Sequence, residues 1–327
     1  MAIPPCRIHH TVSENRKQQT PFAEWGESLQ LNYSPLCGAT WRRGQPGGWT
    51  VQLIYGTEIL DEADVRISPW DRGYQFGDGV YEVVRMYRGR LYAMDMHLDR
   101  LRYSLGELRI SVPDGVHQLE ALAEKLARDR GIDEGILYVQ VTRGAARRTH
   151  AFPPEAHPVL IGYVEAVPRP LEEFERGVTA ILVPDVRWHR VDIKSLNLLG
   201  NVLAKQAAVE RGAGEAIFVR GDVVTEGSST NVFLVRDGVL FTHPTGHHIL
   251  NGITRQIVIR LAKELGIPVQ EEAFTPEALF AADELFLTST IHEVTPIVQV
   301  DGRDIADGRP GPVTRRLQEA FAATLPI

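Results

Sequence analysis

From Trp49 to its C-terminus the chain alternates between two hydrophobic periods, and that alternation limits the possible folds more than any other feature. Val51 to Tyr55, Tyr81 to Tyr87, Leu91 to Ala93, Ile136 to Arg143 and Val159 to Glu165 are short β-rich runs, and Arg88-Gly89 interrupts them as a hairpin turn would. Between them Leu98, Leu101, Leu105 and Leu108 fall on one helical face, and Leu119, Leu122 and Leu126 on another. The second half repeats the mixture. Strands are expected at Thr179 to Val183, Ala216 to Val219, Asn231 to Arg236, Val239 to Thr242, Glu284 to Thr288 and Val294 to Val300. Helices are expected from about Leu196 to Glu210, Ile253 to Leu265 and Val313 to Ala323. Strands and helices mix without strict βαβ alternation, so the pattern predicts a two-domain α+β (mixed α/β) architecture and not a doubly wound sheet.

At 327 residues the chain has the length of about two domains. Residues 1–48 are polar, punctuated by proline and glycine, and show neither period; they read as a poorly ordered N-terminal extension. Residues 49–167 form the expected smaller N-terminal α/β domain and 171–327 the larger C-terminal domain. Val167-Pro168-Arg169-Pro170 lies between them, and its two prolines offer no N–H to a sheet, which makes 168–170 the expected linker.

The balance of 35 basic against 42 acidic residues, a net charge of −7, lacks the basic stripe of a nucleic-acid binder. No run approaches the ~18 apolar residues of a spanning helix, and the N-terminus lacks a signal peptide's apolar core. A cytoplasmic protein with no membrane and no nucleic-acid partner is expected. Cys6 and Cys37 are the only cysteines, so the rest of the chain can form neither a disulfide framework nor a thiolate metal site. His9-His10 in the extension reads as a solvated pair. The spacing of Gly73, Gly77 and Gly79 is not a dinucleotide fingerprint, and neither a phosphate loop nor a G-x-S-x-G elbow occurs. His292-Glu293 opens like a zinc-protease helix, but Pro296 stands at the second ligand position. No metal site is expected.

One lysine stands apart. Lys125, Lys205 and Lys263 sit in helical patterns beside polar neighbours, whereas Lys194 follows a strand-like run and precedes the apolar Leu196-Asn197-Leu198-Leu199. A desolvated amine is what imine formation with a carbonyl cofactor requires, although this segment alone favours a lysine snorkelling from a core-edge turn. Three other segments add to it. Thr225-Glu226-Gly227-Ser228-Ser229-Thr230-Asn231 puts a carboxylate at a strand end; Gly252-Ile253-Thr254-Arg255 opens a helix, where free N–H groups and a hydroxyl could meet an anion; Thr288-Ser289-Thr290 closes a strand with hydroxyls. A lysine for an aldehyde, a carboxylate for a pyridine nitrogen and a phosphate cradle are the parts that pyridoxal 5′-phosphate needs.

From about Trp49 onward the sequence resembles the class IV (fold type IV) aminotransferases, and among them the members specific for D-amino acids. The resemblance is carried by the run from Asp71 to Val84, by Thr142-Arg143-Gly144 with Arg148-Thr149-His150, by Asp192 to Gly200, and by Thr225 to Ser229. It implies that Lys194 holds pyridoxal 5′-phosphate as a Schiff base and moves the proton, and that Glu226 pairs with the ring nitrogen. It also implies that Arg100, Ile253, Thr254, Ser289 and Thr290 bind the phosphate, with Arg187 near the ring hydroxyl and Leu250 against the ring face. Tyr81, Arg148 and His150 would clamp the substrate α-carboxylate, the last two contributed by the neighbouring subunit of a homodimer. The implied reaction is a ping-pong transamination of D-alanine with 2-oxoglutarate to pyruvate and D-glutamate. Action on branched-chain L-amino acids or amines, or as an aminodeoxychorismate lyase, is the alternative on the same scaffold; Arg148-x-His150 and Tyr81-Glu82-Val83-Val84 argue against it.

Overall fold

Strands with a two-residue period need partners, and here they find them in two separate sheets. The computed structural model describes residues 51–326; the expected extension, with His9-His10 and both cysteines, lies outside the described residues. The first sheet is antiparallel throughout and has six strands: β1 (Gln52–Tyr55), β2 (Glu58–Asp61), β3 (Gly79–Tyr87), β4 (Arg90–Leu91), β5 (Gly135–Thr142) and β6 (Val159–Ala166), in the order β2-β1-β6-β5-β3-β4. One face carries Val80, Val84 and Met86 of β3 and Leu137, Val139 and Val141 of β5. It is covered by Leu101 and Leu105 of helix α2 (Met94–Glu107) and by Leu119 and Leu126 of α3 (Leu119–Asp129). Truncating any of these leucines to alanine is expected to cost about 2–5 kcal/mol. The opposite face stacks Tyr81 on Tyr138 and Tyr138 on Tyr163, at centroid distances of 5.8 and 5.0 Å.

The second sheet is mixed. Strands β7 (Val178–Pro184), β8 (Glu215–Arg220), β9 (Val223–Gly227), β10 (Asn231–Arg236), β11 (Val239–Thr242), β12 (Val269–Glu271), β13 (Glu284–Ser289) and β14 (Glu293–Val300) run in the order β12-β11-β10-β13-β14-β7-β8-β9, with β15 (Arg303–Asp304) on β14. Its centre is closed by Phe233 of β10 stacked on Phe286 of β13, 4.8 Å apart. Helices α6 (Ile253–Glu264) and α8 (Pro312–Ala322) bury Ile257, Leu261, Leu317 and Phe321 on that pair's side, while α5 (Leu199–Glu210) packs Ala204 and Ala208 on Ala216 and Phe218 of β8. Residues 167–170 run between β6 of the first sheet and α4 (Leu171–Arg176) ahead of the second. No helix among the described residues is long and apolar enough to cross a membrane.

Three local expectations need correction. The run Leu91 to Ala93 is strand only at Leu91, because Ala93 takes a left-handed φ of 52° and starts α2. The helix expected from Leu196 begins at Leu199. Leu196 is claimed by β3, whose long open edge the two-residue β4 cannot fill: Leu196 N donates to Gly79 O (3.0 Å), Tyr81 N to Lys194 O (3.0 Å), and Ser195 bridges Val80, while Leu198 N turns back on Leu196 O (3.0 Å). For the same reason Lys194 follows an irregular loop and not a strand. The short helices α1 (Arg72–Phe76), α4 (Leu171–Arg176) and α7 (Pro276–Phe280) are too brief to show a helical period in the sequence.

Candidate active site

The loop from β7 to α5 lays Lys194 along the free edge of β3, at the bottom of a cleft between the two sheets. The cleft is open to solvent on one side and is lined by polar and charged side chains from both sheets. The Lys194 ammonium has no hydrogen-bond acceptor or carboxylate partner among the described residues and lies 4.1 Å from the Tyr81 ring centre. The other described lysines behave differently: Lys125 pairs with Asp129, Lys205 donates to Gly214 O, and Lys263 is exposed.

Across the cleft, Glu226 at the end of β9 is buried, and both its oxygens are engaged. Arg187 Nη1 donates to Oε1 (2.6 Å), while Asn231 Nδ2 (3.1 Å) and Leu250 N (2.9 Å) donate to Oε2. Burial pushes this carboxyl above its ordinary range, with Arg187 and the Leu250 N–H pulling the other way. Arg187 is itself aligned by Asp185, which accepts from its Nε (2.9 Å) and Nη2 (3.0 Å). Asn231 also donates to Leu250 O (2.9 Å), so one amide fixes both the carboxylate and the chain beside it.

The third wall is an anion cradle. Helix α6 begins after Gly252 with no side-chain cap, so its first N–H groups and the positive end of its dipole face the cleft. Thr254, Ser289 and Thr290 add hydroxyls, and Thr288 Oγ1 is buried there without a partner, the condition a bound oxyanion would relieve. A Cβ at Gly252 would stand 2.1 Å from Asn231 Oδ1, so only glycine lets the cap and Asn231 coexist. Arg100 closes the cradle from α2, donating from Nη1 to Asn251 O (3.1 Å). Its Nε and Nη2 donate to the two oxygens of Glu82 (2.7 and 2.8 Å), and His97 Nδ1 meets Glu82 Oε2 at 2.8 Å. Burial alone would raise the Glu82 carboxyl, but Arg100 and His97 together hold it well below the carboxylate range.

Lys194, Glu226, Arg100, Ile253, Thr254, Ser289, Thr290, Arg187, Leu250 and Tyr81 all line this cleft. Arg148 and His150 do not. They are exposed on the loop after β5, beside Phe76, with Arg148 4.8 Å and His150 5.8 Å from its ring centre. Arg72 anchors that loop by donating to Thr149 O (2.6 Å), and Asp78 joins Arg72 (2.7 Å) to Arg143 (2.8 Å). The long motif from Asp71 is thus a brace for this loop.

A family model described as amino-transferase class IV matches residues 79–300. D-alanine aminotransferase of Staphylococcus aureus (strain MSSA476) is 46% identical over 271 residues, covering 83% of this chain and 96% of that protein. The chain belongs to the class IV aminotransferases. D-alanine aminotransferase of Listeria monocytogenes serotype 1/2a (strain 10403S) is 46% identical over 274 residues, covering 83% of this chain and 95% of that protein. Among solved structures, the branched-chain amino acid aminotransferase from Escherichia coli superposes with a TM-score of 0.76 at 28% identity, covering 84% of this chain and 94% of that one. The T.th. branched-chain amino acid aminotransferase, solved with pyridoxamine 5′-phosphate, gives 0.75 at 29% identity, covering 85% of this chain and 96% of that one. This aminotransferase therefore has the two-domain α+β architecture expected of fold type IV.

Several residues of this class IV site escaped sequence reasoning. Glu82, itself met by His97, holds Arg100, and Asn231 and Asp185 hold Glu226 and Arg187; the orphan hydroxyl belongs to Thr288, inside the strand-end hydroxyl run named from the sequence. Of the rest, only Glu82 left a signal. It occupies the core-facing register of β3 between Val80 and Val84, both fully buried, where a carboxylate needs buried cations.

Proposed function

We propose that this aminotransferase acts on D-amino acids, taking D-alanine and 2-oxoglutarate to pyruvate and D-glutamate through a ping-pong cycle with pyridoxal 5′-phosphate. The observation that carries the reading is the unpartnered Lys194 amine facing the Glu226 carboxylate across a cleft whose third wall is an anion cradle. The orphan Thr288 hydroxyl and uncapped α6 suit the cofactor phosphate, with Arg100, Ile253, Thr254, Ser289 and Thr290 as its ligands. When bound, the cofactor supplies an aldehyde for the amine and a ring that accepts the electron pair left by the departing α-proton. Glu226 would hold a proton on the ring nitrogen, Arg187 would lie by the ring hydroxyl and Leu250 against the ring face. Lys194 Nζ would take the substrate α-proton and return it to the cofactor's aldehyde-derived carbon, which needs an amine without a competing acceptor.

Stereochemistry rests on the carboxylate clamp. Tyr81 faces the cleft, while Arg148 and His150 are exposed and free to enter a neighbour's cleft, so the active form would be a homodimer. A planar guanidinium gives a carboxylate two parallel bonds and so fixes which face of the α-carbon meets Lys194. The relatives named D-alanine aminotransferase are 46% identical, against 28–29% for the branched-chain structures, which favours the D-specific reading. The reading further takes 49–167 and 171–327 as the two domains, 168–170 as their link, and the cytoplasm as the setting.

The deciding experiment mixes the yellow cofactor-loaded protein separately with D-alanine and L-alanine and follows the visible absorbance. D-alanine should bleach it and L-alanine should not; bleaching by the L-isomer alone would overturn the assignment. Lys194→Ala should lower turnover by at least ~10³-fold, the loss of both nucleophile and proton carrier.

A further inference from the structure

The hairpin that presents Ser289 and Thr290 to the cleft closes on a strained residue. Glu293, the first residue of β14, has φ +44°, in the left-handed region that favours glycine. It pairs directly across the hairpin with Ser289. Three-residue hairpin loops commonly end in such a conformation, but with glycine or asparagine there. A glutamate persists in it only if its surroundings over-determine it.

Here they do. The buried Glu293 carboxylate accepts two parallel bonds from Arg169, Nε to Oε1 at 2.7 Å and Nη2 to Oε2 at 2.6 Å, and a third from Tyr87 Oη at 2.9 Å. Arg169 stands between Pro168 and Pro170, whose rings fix φ and stiffen the crossover. Tyr87 ends β3, the strand whose other end bonds the Lys194 segment. His292, one residue before Glu293, donates its N–H to Ser289 Oγ (3.0 Å), and its ring meets Glu173 of α4 at 2.9 Å. The side-chain ties that Glu293 and the His292 ring make thus lead to the crossover, to the helix that follows it and to β3.

We infer that Glu293, held by Arg169 and Tyr87, is a positioning residue that sets Ser289 and Thr290 for the cofactor's phosphate. This rests on the reading of the cleft as a pyridoxal 5′-phosphate site. Neither Glu293 nor Arg169 lines the cleft, so neither touches the reacting atoms. Their effect passes through the hairpin rung that Glu293 shares with Ser289, and it should fall on the phosphate end of the ligand alone.

The test titrates cofactor-free protein with pyridoxal 5′-phosphate and, separately, with pyridoxal, which lacks the phosphate. The ratio of the two dissociation constants reports the cradle. Arg169→Gln and Glu293→Gln should each shrink that ratio by about tenfold while pyridoxal binding stays within about twofold of wild type. Tyr87→Phe, which deletes one hydroxyl and keeps the ring, should shrink it less. Glu293→Gly separates positioning from stability: glycine accepts φ +44°, so this variant should melt at or above Glu293→Gln yet show the same loss of discrimination. Variants that keep the wild-type ratio would overturn the positioning role and leave the cofactor reading standing. A wild-type protein that binds both ligands alike would overturn the cofactor reading, and this inference with it.

Discussion

Glu82 is a charged residue on the apolar face of a strand, tolerated because Arg100 and His97 supply the donors its oxygens need. Its carboxyl sits below its ordinary value of 4.5, so the stability it contributes is full above that value and is lost as pH falls toward the depressed one. Glu82→Gln should cost about 3 kcal/mol near pH 7, because it strands the Arg100 guanidinium. Urea unfolding of both proteins from about pH 7 down to about pH 3 should show the difference narrowing with acid; a gap that stayed constant would argue against an ionised Glu82. Glu226 runs the opposite way. Burial raises it, so its contribution is present below 4.5 and is lost as pH rises through the raised value, until a cationic partner offsets the charge. At this scale the sequence singled out Lys194 and Glu226, and the fold places both on the lining of one cleft. Asn231 and Asp185 were not singled out, because nothing in their neighbours distinguishes a positioning amide or carboxylate from a solvated one.

Among the elements, the start of α6 combines several roles within four residues. Gly252 leaves the helix uncapped and makes room for Asn231, which holds Glu226 and the Leu250 carbonyl. Gly252→Ala would drive a Cβ into Asn231 Oδ1, costing about 1–3 kcal/mol and turning the amide away from Glu226. A lower melting temperature together with weaker pyridoxal 5′-phosphate binding is expected, and binding at wild-type strength would sink this account of the glycine. Long elements were readable to within a residue or two: α6 was expected from Ile253 to Leu265 and spans Ile253–Glu264, and β10 and β11 have the expected bounds. The start at Leu196 misled because a tertiary partner, the open edge of β3, takes the backbone of Ser195 and Leu196 in place of a helical turn.

For the whole molecule, Arg148 and His150 stand outside the cleft that Lys194 lines, and the proposed clamp would bring them in from a second subunit. A further apolar surface points the same way. Leu199 and Leu203 on α5 are 77% and 67% exposed, and nearby Val186 is 74% exposed, at one rim of the cleft. If the clamp crosses between subunits, Lys194→Ala and Arg148→Ala proteins, each inactive alone, should complement when unfolded and refolded together. Random pairing gives one intact site in half the dimers, so activity should return to about a quarter of wild type. No recovery would place the clamp within one chain.

The sequence by itself determined the chemistry and the family. Both rest on the long motifs from Asp71 to Val84, from Asp192 to Gly200 and from Thr225 to Ser229, and these survive any error in drawing the elements. The alternation of periods likewise determined a mixed two-sheet fold, because each period demands its own kind of partner. Only the tertiary structure decided which groups face one another. It set Lys194 against β3 instead of starting a helix, gave Arg100 its buried carboxylate, put the crossover arginine on a strained hairpin, and left Arg148 and His150 outside their own cleft. Those outcomes depend on contacts between residues on different elements, from Arg100 and Glu82, 18 positions apart, to Tyr87 and Glu293, 206 apart, and no local pattern encodes them.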